Sequence, residues 1–238
     1  MRSFKRNASG DRDVPYCIII QLPIWKTMMN KLQRFESLGD NCEFAFFLRE
    51  SGYDEGSLFR WTLIKNYHAL LNLIESDFAD FYIYENLLPS WQDMVLDQKH
   101  DICFHTEMYS DNINDFWYWR YSEQENNLIY KKEMDKIKYL TDKFRKSLAD
   151  ENKIFVVKSN GNNIDDVVLA LSKEFKKHGN SKILYVKSYA DSPKVGEITK
   201  VTDNFFTAVI DRFADYSRAN EYSREGWQAI INNAVAVM

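Results

Sequence analysis

Cys42 stands in "SLGDNCEFAFF", where a short apolar approach meets a Gly39-Asp40-Asn41 turn and then a run of helix formers. A cysteine at a strand-to-helix junction lies beside N–H groups that have no partner within the helix, and the helix dipole there favours thiolate over thiol. That is a setting for a nucleophile. His105, in "FHTEM", follows a second apolar run and is the residue type that takes a thiol proton, with Glu107 or Asp40 to orient the imidazole. Asn41 and the backbone around Cys42 are suited to holding an oxyanion. Together these residues point to acyl transfer, either to water or to another acceptor. The competing account is that Cys42 simply packs, because free cysteine is among the most buried residue types.

The elements that would position these groups follow from hydrophobic periodicity. Leu32 to Leu38 reads as a strand broken by Gly39, and Phe44, Phe47 and Leu48 fall at helical spacing until Gly52. A second helix is expected from Ile64 to Phe78, a buried strand from Ile102 to His105, and a long loop from Tyr109 to Glu125 carrying "FWYWRY". Ile129, Glu133, Ile137, Leu140, Phe144 and Leu148 then mark a long helix. "KIFVVKS", "NIDDVVLALSKEFKKHG" and "KILYVKS" form a strand-helix-strand unit, "FFTAVIDRF" a further strand, and "SREGWQAIINNAV" a closing helix that starts at Ser223. This order predicts an α/β fold, an open and mostly parallel sheet of about five strands flanked by helices.

In such sheets ligands sit beyond the carboxyl ends of the strands. Those ends carry Gly39 to Cys42, His105 to Glu107, Lys158 to Asn160, Lys187-Ser188 and Asp211-Arg212. Gly39, Lys158 and Asn160 are therefore candidate substrate-binding residues, and Trp119 and Arg120 in "YWRY" are candidates to stack a sugar or a base. Gly161 in "SNGNN" suits a phosphate-binding turn or, more simply, a tight Asn-Gly turn. His100 and His105 are five apart and face opposite sides of a strand, so they do not make a metal pair. His68 is expected at the surface and His178 at a helix C-terminus. No metal and no other cofactor is expected.

The 238 residues carry a formal charge of −4 and are 45% hydrophobic, enough for one full core and without the basic excess that nucleic acid requires. The three cysteines, Cys17, Cys42 and Cys103, match neither a zinc site nor a disulfide scaffold, which suits a reducing cytoplasmic setting. Residues 1–28 are expected to be a leader or a poorly ordered extension, and 29–238 a single α/β domain. The apolar run "VPYCIIIQLPIW" after Arg2, Lys5 and Arg6 is too short to span a bilayer, so no integral membrane segment is expected.

The block "SLGDNCEFAFFLRESGYDEGSLFRW" resembles a bacterial domain-of-unknown-function family labelled papain-like cysteine peptidase, whose Ser-Leu-Gly-x-x-Cys motif occurs in proteins associated with cell-surface polysaccharide genes. The likeness extends from about Phe35 to Lys187, with the cysteine block its specific part. It implies Cys42 as nucleophile and His105 as its partner. That family usually carries Pro-Phe-Asp-Trp where this chain has Leu58-Phe59-Arg60-Trp61, so an acidic residue of the family's pattern is lost here; Arg60 and Trp61 are counted among the candidate substrate-binding residues. The strand-Gly-x-x-Cys-helix context is also similar to the turn of Gly-Asp-Ser-type esterases and of capsule-locus acyltransferase-like proteins.

The leading expectation is a cysteine-dependent hydrolase or acyl transferase acting on a small-molecule or saccharide substrate. The alternative is a sugar-nucleotide or carrier-binding transferase module in cell-surface polysaccharide assembly, in which Gly39 and Gly161 face phosphate and Cys42 only packs. A third is an interaction domain built on Trp91 and the "FWYWR" segment, with Trp117 and Trp119 as its contacts. Composition sets no oligomeric state.

Overall fold

A computed structural model describes residues 29–161, 163–190 and 192–238. The expected leader, with Cys17, lies outside the described residues. In chain order the elements are β1 (Phe35–Ser37), α1 (Glu43–Glu50), β2 (Thr62–Ile64), α2 (Tyr67–Glu75), β3 (Leu87–Trp91), β4 (Met94–Asp97), β5 (Ile102–His105), β6 (Ser110–Ile113) and β7 (Phe116–Trp119). They continue as α3 (Glu123–Ala149), β8 (Ile154–Val157), α4 (Asp165–His178), β9 (Lys182–Ser188), β10 (Ile198–Lys200), β11 (Phe205–Ile210) and α5 (Arg224–Val237).

The main sheet has the order β1-β8-β9-β11-β10, parallel except for β10 at one edge. Its strands alternate between two cores, as a period of two demands. Phe155 and Val157 of β8 face the side covered by α2, α3 and α4, where Phe144 meets Phe155 and Phe175 edge to face. Ile154 and Val156 face the other side, where Phe44 and Phe47 of α1 pack on Trp227 of α5. The expected α/β architecture, a mostly parallel five-stranded sheet between helices, is the one observed.

The crossover from β1 to β8 holds what the periodicity did not resolve. Ile64 pairs with Ile102 in β2, and α2 begins only at Tyr67 because the Asn66 side chain caps it, accepting from the N–H groups of His68 and Ala69 at 2.9 and 3.3 Å. β5 does not join the parallel sheet. It lies in a second, antiparallel sheet ordered β2-β5-β4-β3. The expected loop from Tyr109 to Glu125 is instead the β6-β7 hairpin, whose turn residues Asn114 and Asp115 take φ values of 52° and 68°. Positive φ at both central residues is the primed-turn geometry that fits the twist of paired strands. Downstream, Ser122 and Glu125 close a capping box that starts α3.

Candidate functional site

The Gly39-Asp40-Asn41-Cys42 turn joins β1 to α1. A Cβ at Gly39 would stand 3.1 Å from the Asn41 carbonyl oxygen, so the tight turn favours glycine there. Asn41 Oδ1 accepts the Glu43 N–H at 3.0 Å, while its Nδ2 is buried without a hydrogen-bond partner among the described residues. Cys42 occupies the N-cap position of α1 and is partly buried. Its thiol is not activated by that position. Burial, and next the Asp93 carboxylate, push it up to about 11, against the opposing pull of Arg49 and Lys158.

His105 ends β5, opposite Met94 in the register of the small sheet, and this pairing brings the β3-β4 turn to it. His105 Nδ1 lies 3.0 Å from Asp93 Oδ2, with both side chains partly exposed. Asp93 is held by its own backbone, since its carbonyl accepts the Thr106 N–H at 2.9 Å. The carboxylate beside His105 is thus that of Asp93, in place of the expected Glu107 or Asp40. Glu107 points its exposed side chain elsewhere, and its backbone N–H donates to Glu133. No hydrogen bond joins the Cys42 thiol to His105 among the described residues.

Cys42, Phe46 and Arg49 recur at helical spacing and share one face of α1. The last two, with His105, line a cleft of about 510 Å³ whose other walls include Leu58, Trp61, Phe104 and Leu140. Trp61 is the expected candidate that the fold does bring to this place. The Arg49 guanidinium lies over its ring, 4.0 Å from the centroid, and Phe46 meets it edge-on at 5.2 Å. Arg60 turns away from the cleft. It is buried, with Nη1 donating to the Glu55 carbonyl at 2.6 Å and Nη2 to that of Tyr53, so it fastens the 53–55 segment.

Asp40, Lys158 and Asn160 form a separate buried network. The Lys158 ammonium is wholly buried, and lies 2.8 Å from Asp40 Oδ1, 3.2 Å from Glu43 Oε2 and 2.5 Å from Asn160 Oδ1. Asp40 Oδ2 also accepts from the Asn160 N–H at 2.7 Å and the Tyr216 hydroxyl at 2.6 Å. Burial pushes the Glu43 carboxyl up, while Lys158, the Trp227 indole N–H and the Ala214 N–H hold it back. Asp40 is a strut of the fold, engaged by Lys158, Asn160 and Tyr216.

Beyond Asp40, at the carboxyl ends of β1 and β8, opens a larger polar crevice of about 730 Å³. Its acidic lining residues are Asp40, Asp101, Asp165 and Asp166, and its basic ones Lys65 and His68. Gly161 borders it in an open turn, where an added Cβ would meet nothing within 4 Å. Trp119 and Arg120 belong to neither opening. Trp119 packs on the core, and Arg120 pairs with Asp111 at 2.7 Å across the β6-β7 hairpin and faces Tyr109. His100 is buried against Phe81, His68 is exposed, and His178 pairs with Glu174 at the end of α4. No cluster of three His, Cys, Asp or Glu side chains suited to a metal occurs among the described residues.

The residues missed from sequence are Asp93, Phe46, Arg49 and Leu140. The heptad-like recurrence of Cys42, Phe46 and Arg49 is a signal present in the chain, whereas Asp93 reaches His105 only through strand register. No family model, curated protein or solved structure matches the chain. No helix among the described residues is long and apolar enough to cross a membrane.

Proposed function

We propose that this chain is a cysteine-dependent acyl hydrolase or acyl transferase, with Cys42 as nucleophile, His105 as base and Asp93 as the carboxylate that orients the imidazole. The observation that carries this is the His105–Asp93 pair at 3.0 Å, with His105 lining a cleft together with Phe46 and Arg49, which follow Cys42 at helical spacing on α1. Asp93 on Nδ1 leaves Nε2 for the reacting proton. Because burial keeps the thiol protonated at neutral pH, attack is coupled to proton transfer, as in serine enzymes, and does not begin from a standing thiolate.

The Sγ–acyl bond forms as the thiol proton passes to His105. The bond from the acyl carbon to its leaving group then breaks, and His105 returns the proton to that group. Water or another acceptor, deprotonated by His105, attacks the thioester and restores the thiol. Catalytic hydrogen bonds commonly tighten only when substrate is seated, which accommodates a thiol and imidazole not yet bonded. Asn41 Nδ2, a buried donor without a partner, is the side-chain group nearest in sequence for the oxyanion.

The experiment is acyl-enzyme trapping with p-nitrophenyl esters, followed by peptide mass spectrometry. One acyl group per chain should appear on Cys42, be absent in Cys42→Ala, and form on the order of 100-fold more slowly in His105→Gln. Acylation elsewhere, or none, rejects the assignment. A sugar-nucleotide or carrier site at the strand ends would set phosphates against Asp40, Asp101, Asp165 and Asp166, which is unfavourable without a compensating cation.

A further inference from the structure

The cleft beside α1 has a charge pattern that acyl transfer by itself does not require. Its basic lining residues are Arg49, His105 and Lys136. Each has an acidic partner that stands outside the lining: Asp54 at 3.0 Å from Arg49, Asp93 at 3.0 Å from His105, and Glu133 at 2.6 Å from Lys136. No carboxylate among the described residues lines this cleft, in a chain whose net charge is −4. The rest of the wall is largely apolar, with Phe46, Leu58, Trp61, Phe104, Ile137 and Leu140.

Distance along α1 adds a length. Arg49 is seven residues after Cys42 on the same helix face, which at the rise of an α-helix is about 10 Å along the axis. With its face covered by Trp61 and Nε given to Asp54, the guanidinium keeps its two Nη groups, N–H donors of the kind that read carboxylate and phosphate.

We propose that the cleft binds an extended acyl chain ending in an anionic group. The acyl carbon lies between Cys42 and His105, the chain runs along Phe46 and Trp61, and the terminal anion meets Arg49 with Lys136 at the rim. The catalytic half of this inference rests on the acyl-transfer proposal, whereas the binding preference does not.

Two measurements separate them. Suberate and octanoate have eight-carbon chains and differ in the terminal carboxylate. Titration of the Cys42→Ala chain, followed by tryptophan fluorescence, should show suberate binding about tenfold more tightly than octanoate. Arg49→Gln in that background should bring the ratio towards one, as should Lys136→Gln to a lesser degree. Equal affinities, or a suberate preference indifferent to both substitutions, overturn the proposal. If Arg49→Gln does not fold, Arg49→Lys keeps the charge without the planar edge and decides the same point.

The second measurement compares kcat/KM for p-nitrophenyl monosuberate and p-nitrophenyl octanoate with Cys42 intact. Preferential binding without Cys42-dependent turnover removes the enzyme and keeps the cleft. Turnover of both esters alike, with equal binding, keeps the enzyme and removes the anion site.

Discussion

Two openings share the segment from Trp61 to Lys65 as a wall, yet their chemistry is opposite. Trp61 and Thr62 face the cleft of about 510 Å³, and Ile64 and Lys65 face the crevice of about 730 Å³. The Gly39 to Cys42 turn divides them in the same way, since Asp40 lines the crevice and Cys42 heads the helix whose Phe46 and Arg49 line the cleft. The crevice lies where open α/β sheets usually hold ligands. Its central carboxylate, however, is already engaged by Lys158, Asn160 and Tyr216. The cleft owes His105 and Asp93 to the small antiparallel sheet inserted between β1 and β8. The generic ligand position of this fold holds a structural anchor, and the proposed site joins Cys42 of the main-sheet turn to His105 and Asp93 of the insertion.

The largest effect expected from this contrast is on stability. Lys158→Met leaves Asp40 and Glu43 buried without their cation, a loss of about 3–5 kcal/mol, or roughly 10 °C in the melting temperature for a chain of this size. Adding Asp40→Asn and Glu43→Gln should recover part of it, because the unpaired charges are then gone. Thermal melts of the single and triple variants measure both. A Lys158→Met chain as stable as the parent would return the crevice to consideration as a working site with a spare ammonium.

A smaller effect separates the openings by function. Trp61→Ala removes the aromatic wall on which Arg49 lies and should lower ester kcat/KM on the order of tenfold. His68→Ala, at the exposed margin of the crevice, should leave it unchanged. The reverse ranking would place the substrate in the crevice and break the comparison at its root.

Where sequence was legible, the signal was local. "KIFVVKS" and "KILYVKS" are unbroken apolar runs that become β8 and β9, buried on both faces, and α4 has acids in its first turn and Lys176, Lys177 and His178 in its last. The site was half legible for the same reason. Cys42 announces itself by its turn, and His105 by the strand it ends, but what each touches is set far along the chain. Nothing near Asp40 in sequence claims its carboxylate, because its partner Lys158 is 118 residues away. Asp93 gave no sign because it meets His105 through the β4-β5 register. The β6-β7 hairpin is hard to tell from a loop in sequence, since its strands are short and half-exposed and its turn is Asn114-Asp115, without the Asn-Gly that marks such turns most clearly.

The smallest expected effect is the most diagnostic for Asp93. With the Cys42 thiol pushed up to about 11, roughly one molecule in a thousand carries thiolate at pH 8, so alkylation by iodoacetamide should be slow and should rise with pH well beyond the range of a free cysteine. The Asp93 carboxylate helps to raise the thiol and Arg49 helps to lower it. Asp93→Asn therefore lowers the thiol pKa and speeds alkylation at pH 8 a few-fold, whereas Arg49→Gln raises it and slows alkylation. Acyl transfer should respond differently, because Asp93→Asn also deprives His105 of its orienting carboxylate and turnover falls. A variant whose thiol reacts faster with iodoacetamide while its esterase rate declines separates the electrostatic role of Asp93 from its role in proton transfer. If both rates fall together, Asp93 acts by holding the β3-β4 turn in place, and the base of the proposed site lacks its carboxylate.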